Sequence, residues 1–79
     1  MHYVSLTNFC KTTGLTAAEV KDYEVRGLIR STTKGAHRFY SLREAYRAKG
    51  IIYFMRTHGL TAEQAAVRLD EQATAVTRT

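Results

Sequence analysis

Apolar residues along the chain recur mostly at helical spacing, in blocks separated by short polar stretches. Leu6, Phe9 and Cys10 fall at i, i+3 and i+4 and predict the inner face of a first helix over about Leu6–Thr12. Ser5 is placed to cap it, and Gly14 to end it through a left-handed backbone. Thr16-Ala17-Ala18-Glu19 is a capping-box pattern, in which the Thr16 hydroxyl accepts from the Glu19 amide and the Glu19 carboxylate reaches back to the amide of Thr16. It predicts a second helix over Ala17–Val25, stopping before Gly27. The apolar stripe of that helix is narrow, Val20 with Tyr23 or Glu24. Its other face shows Ala18, Lys21, Asp22 and Val25. The short, Gly-containing link between the two helices is that of a helix-turn-helix.

The period then changes. Leu28-Ile29-Arg30 and Arg38-Phe39-Tyr40 are β-compatible runs on either side of a polar stretch, STTKGAH, that holds Gly35. They predict a two-stranded hairpin, a wing. Ser41-Leu42-Arg43-Glu44 is a second capping box, opening a helix to about Thr57. Ala45, Ala48, Ile52 and Met55, with Leu42 and Ile51 beside them, give that helix a core-facing stripe. Gly50 lies inside it at a cost of about 1 kcal/mol relative to Ala, which points to a close helix contact. Tyr40 is expected to pack beneath the wing. After Gly59, Thr61-Ala62-Glu63-Gln64 is a third capping box. It opens a last helix to about Leu69 or Gln72, with Ala65, Ala66 and Leu69 inward. The fold class is therefore mainly α: a winged helix-turn-helix of about four helices plus a short two-stranded hairpin. One domain is expected over residues 1–70, with a flexible tail over 71–79.

Composition adds limits. The chain has 79 residues, enough for one small domain, and no proline to interrupt its helices. A single cysteine, Cys10, cannot form an internal disulfide and reads as a buried structural thiol. With no apolar run near about 18 residues and no signal-peptide pattern, a soluble, cytoplasmic protein is expected. His2, His37 and His58 are widely separated and lack metal-ligand spacing. No phosphate-binding glycine loop and no nucleophile with its base is visible, so neither a cofactor nor an enzymatic activity is expected.

Charge changes the picture most. The formal net charge is +5, but positions 26 to 56 hold eight cations (Arg26, Arg30, Lys34, Arg38, Arg43, Arg47, Lys49 and Arg56) against a single acid, Glu44. A concentrated basic segment in a small helical domain points to a polyanionic partner, double-stranded DNA above all. Lys21 lies on the outer face of the second helix. The amides of Thr16 and Ala17 at that helix's N-terminus can hold a phosphate. Lys34 and Arg38 belong to the wing, where His37 can join them, and a wing reaches the minor groove or the adjacent backbone. Arg43 and Arg47, one turn apart, read equally as phosphate contacts or surface charges. Arg56, with the amides around Thr61, is a further candidate for the backbone. Tyr23 reads as a core residue whose hydroxyl can still reach a phosphate.

The order of elements and several short motifs resemble the DNA-binding domain of the MerR-type (mercury-resistance regulator) transcription factors. The matching pieces are Ser5-Leu6, Lys11-Thr12-Thr13-Gly14-Leu15-Thr16, Lys21-Asp22-Tyr23-Glu24 with Gly27-Leu28-Ile29, Arg38-Phe39-Tyr40-Ser41, and Met55-Arg56-Thr57-His58-Gly59-Leu60-Thr61. Together they cover residues 3 to 69. The resemblance implies that Lys21 faces DNA and that Arg56 grips its backbone. Three departures stand out. Asp22 replaces the first of two aromatics usual before the glutamate, Ala18 stands where an arginine is frequent, and no heptad pattern follows Leu69. Asp22 is expected either to avoid the backbone or to read a base amino group.

The reading that follows is a sequence-specific duplex-binding transcriptional regulator of the MerR-like type, binding as a homodimer or a cooperative array. A first rival is an excisionase-like recombination directionality factor of a phage or mobile element, binding repeated sites and bending DNA. A second is a chaperone-modulator-like protein-interaction module that binds no DNA.

Overall fold

A computed structural model of the chain describes residues 3–78, with side chains through Gln72. The elements run β1 (Tyr3–Ser5), α1 (Leu6–Thr13), α2 (Ala17–Val25), β2 (Thr32–Lys34), β3 (His37–Ser41), α3 (Leu42–His58) and α4 (Ala62–Arg78). This is a winged helix-turn-helix, four helices with a small antiparallel sheet.

The helix starts follow from their caps. Ser5 accepts from the amide of Asn8, and the Thr16/Glu19 box is complete in both directions, at 3.1 and 3.0 Å. Thr61 and Gln64 close the third box reciprocally. The second box forms only by half. Ser41 accepts from Glu44's amide, but the Glu44 carboxylate turns away and accepts from the backbone amide of Arg30 at 2.9 Å. Ser41 is already the last residue of β3, paired with Tyr3, so the glutamate is spent on the loop instead.

Between α1 and α2, Thr13 is buried. Its hydroxyl donates to the Phe9 carbonyl at 2.8 Å and accepts from the Leu15 amide at 3.3 Å. Gly14 takes φ +81° there, a left-handed conformation that only glycine adopts without strain. At the other end of α2, Gly27 has φ +75°. Its amide donates to the Glu24 carbonyl, and the next amide, of Leu28, donates to the Tyr23 carbonyl. That pair of bonds is a Schellman motif, and it turns the chain sharply inward.

The wing differs from expectation. Leu28 and Ile29 are not a strand; they are 5% and 2% exposed and pin the turn into the core. The first wing strand lies later, at Thr32–Lys34, inside the stretch expected to be loop. The sheet also has a third strand, β1, and its order is β1-β3-β2. The central strand β3 is thus paired on both sides.

The core gathers Phe9, Val20, Ile29, Tyr40, Ala45, Ala48, Ile51 and Ala65. Tyr40 stacks on Phe9 with ring centroids 4.4 Å apart. The stripe of α3 is Ala45, Ala48, Ile51 and Phe54, while Ile52 and Met55, expected at its centre, are only half-buried beside it. α4 continues past Leu69 and Gln72, where its apolar periodicity ends, to Arg78. The expectation of a flexible tail falls mostly on residues whose side chains, from position 73 on, lie outside those described. No helix among the described residues is long and apolar enough to cross a membrane.

Candidate nucleic-acid interface

Along β3 successive side chains alternate between the two faces of the sheet. Arg38 and Tyr40 share the face toward α2, and His37, Phe39 and Ser41 take the other. Ala17, Ala18, Lys21 and Glu24 of α2 line a shallow concavity together with Arg38 and Tyr40. Ala17, Ala18 and Lys21 are all exposed. The structure therefore unites the outer face of the second helix with one cation of the wing.

Glu24 joins the two. Its Oε2 accepts from the Tyr40 hydroxyl at 3.0 Å and from Arg38 Nη1 at 3.3 Å. The Glu24 side chain is 13% exposed and that of Arg38 57%, so the carboxylate sits deep and the guanidinium lies over it. Burial, and then the hydrogen bond to Glu24, push the Tyr40 phenol up to about 12. The sequence hinted at Glu24 only as an alternative stripe position of α2; nothing in spacing could show that a strand far along the chain would meet it.

The other expected site residues are placed differently. Lys34 pairs with His37 across the Gly35-Ala36 turn, so both lie on the sheet face opposite Arg38. There Lys34 lines a depression with Tyr3, Thr32 and Phe39. Arg43 lines a separate cleft with Arg30 and Arg47, bordered by Thr32 and Ser41. Arg47 is engaged within the fold. Its Nε donates to the Leu28 carbonyl at 2.7 Å and its Nη1 to Asp70 Oδ1 at 2.6 Å. It ties the loop after α2 to α3 and α4.

Asp22 avoids the concavity. It accepts from Arg26 Nη1 at 2.9 Å, and the same guanidinium grips Glu63 with Nε at 2.6 Å and Nη2 at 2.5 Å. These bonds raise the Arg26 pKa and hold the Glu63 carboxyl below its usual range. Asp22 is therefore committed to the junction of α2 with α4, because a fork-shaped guanidinium satisfies two carboxylates at once. Tyr23 is buried, and its hydroxyl contacts Met55 Sδ at 3.5 Å, so it points into the protein rather than toward a phosphate. Desolvation raises its pKa. The Thr16 amide, expected to receive a phosphate, donates to Glu19, and the Thr61 amide donates to Gln64. Arg56 is exposed near the end of α3.

Three of the eight cations counted in the basic segment are answered by acids outside it: Arg26 by Asp22 and Glu63, Arg38 by Glu24, and Arg47 by Asp70. The basic segment is therefore only in part a free positive surface. Its free members among the described residues are Arg30, Lys34, Arg43, Lys49 and Arg56, and Lys21 of α2 is likewise without an ion-pair partner.

A short turn, a capped second helix presenting small residues and a lysine, and a wing packed beside it define a helix-turn-helix protein of the winged class. The chain belongs to the MerR HTH family of regulatory proteins, whose family model matches residues 4–72. That is a DNA-binding regulatory family and not an enzymatic one, and its members commonly dimerise. No curated protein matches the chain.

Proposed function

We propose that the protein binds duplex DNA sequence-specifically and acts as a transcriptional regulator of the MerR-like type. The observation that carries this reading is the shared concavity of Ala17, Ala18, Lys21 and Arg38. Small side chains at the start of α2 let the helix approach base edges closely in a major groove. Lys21, one turn further on, reaches a base acceptor or a phosphate. Arg38 then sits beside the helix, where the flanking backbone passes.

The test is equilibrium binding to random and selected duplexes over a salt series. Affinity should fall steeply as salt rises, and a selected site should bind at least about a thousandfold more tightly than random sequence. Absence of any binding at about 50 mM salt would overturn the reading in favour of a protein-interaction module. A footprint on the selected site separates the remaining roles. Two inverted half-sites are expected of a dimeric regulator; tandem direct repeats with strong bending would support an excisionase-like factor instead.

A further inference from the structure

The wing arginine has an anionic partner within the fold itself, and that partner is on α2. Glu24 Oε2 receives two donors that differ in freedom. Tyr40 is fixed: it is 1% exposed, stacked on Phe9, and belongs to the doubly paired strand β3. Arg38 is less constrained. It is mostly exposed and holds Glu24 through one bond of 3.3 Å, not through the paired bonds that Arg26 makes to Glu63. A single long bond to a guanidinium that is itself mostly exposed is readily exchanged, and a phosphate offers the same guanidinium a bidentate contact.

We propose that Glu24 is a specificity-determining residue: its carboxylate occupies Arg38 in place of a DNA phosphate and releases it only when α2 is seated on a matching site. This rests on the reading of the protein as a duplex binder. With a random duplex the helix gains little from base edges. Arg38 must then either leave Glu24 or approach the backbone with its charge already neutralised. On a matching site the closer seating of Ala17, Ala18 and Lys21 brings a phosphate within reach of Arg38, and the exchange becomes favourable. Glu24 thereby weakens non-specific binding more than specific binding. Tyr40 keeps the carboxylate in place throughout, so the exchange needs only one side chain to move.

Glu24→Gln retains an oxygen for the Tyr40 hydroxyl and removes the charge that holds Arg38. It should raise affinity for a random duplex about 3- to 10-fold near 0.1 M salt and steepen the salt slope by up to about one unit. Affinity for the selected site should rise less, so the ratio of specific to random binding falls. The gain should vanish when Arg38→Ala is also present, because the two residues act through one contact. A gain that persists in the Arg38→Ala background overturns the proposal, since Glu24 would then act as a general charge near DNA. Unchanged or weaker random binding by Glu24→Gln, with circular dichroism matching the parent, overturns it too. A measurement on the unaltered protein guards against a misfolded variant. The Arg38 side-chain N–H resonances should shift when the selected duplex is added, and resonances that stay at their free positions refute the exchange. If neither parent nor variant binds any duplex, the DNA reading falls and the proposal with it. If both bind equally at every site, only the role of Glu24 falls.

Discussion

Leu69 of α4 lies directly over Gly50 of α3: a β-carbon added at Gly50 would stand 3.0 Å from Leu69 Cδ1 and 3.1 Å from Cδ2. The glycine is what lets the last two helices approach. The neighbour is the far end of a flexible, half-buried side chain, so an alanine is accommodated by a small shift. Gly50→Ala should fall within about 1 kcal/mol of neutral, its helix propensity offsetting the crowding. Gly50→Leu should destabilise by about 1–3 kcal/mol. Adding Leu69→Ala to it should restore part of the loss. Urea denaturation of the three variants checks the order, and a Gly50→Leu protein as stable as the parent would disprove the contact.

Arg47 should matter for folding rather than for DNA. Arg47→Ala leaves the Leu28 carbonyl and Asp70 without this donor, and a charge-assisted bond of this kind contributes about 1.5–3 kcal/mol. Arg43→Ala, four residues away, should stay within about 0.5 kcal/mol of the parent. Paired thermal melts give the comparison. Equal stabilities would mean that the link from the α2 loop to α4 carries no weight.

The two faces of the wing predict unequal roles for its cations. Arg38→Ala should weaken binding to the selected site by about 1 kcal/mol or more and flatten its salt slope by about one unit, and should weaken random-duplex binding less, because there Glu24 keeps the guanidinium. Lys34→Ala and His37→Ala, on the opposite face, should each do less. Titrations at two salt concentrations decide between them. A loss at Lys34 as large as at Arg38 would mean that the outer face of the sheet also meets the backbone.

Alkali should expose the Tyr40 contact. Its phenol ordinarily loses its proton near 10 and in the fold near 12. The folded form therefore holds the proton more tightly than the unfolded chain does. The stability this supplies is complete below pH 10 and is lost as pH rises from 10 through 12. Burial of Tyr23 acts in the same direction. Tyr40→Phe should lower stability near neutrality and make the alkaline fall shallower. Stability curves against pH for the two proteins test this, and parallel curves would contradict it.

Much of the local structure was legible in the residue pattern. The bounds of α2 follow from Thr16, Glu19 and Gly27, and the observed helix is Ala17–Val25 as expected. Caps and left-handed glycines act over three or four residues, so their chemistry can be read without knowing the rest of the chain. The wing was harder. Leu28 and Ile29 are apolar enough to suggest a strand, but the Schellman turn at Gly27 drives them inward, and the polar Thr32–Lys34 run forms the strand because β3 offers it a partner. Tyr3–Ser5 shows the same dependence, since three residues carry too little pattern to announce an edge strand.

Sequence by itself determined the order of helices, where each begins, and that cations concentrate in the middle of the chain, because capping and periodicity are local and charge is simply counted. Only the tertiary structure decided which cations are free. Arg26, Arg38 and Arg47 each meet an acid brought close by the packing of separate elements. At the concavity between α2 and the wing, Glu24 and Tyr40, sixteen positions apart in the chain, come within one hydrogen bond. Contacts between distant segments are set by how whole helices and strands pack, and no short window of residues records that.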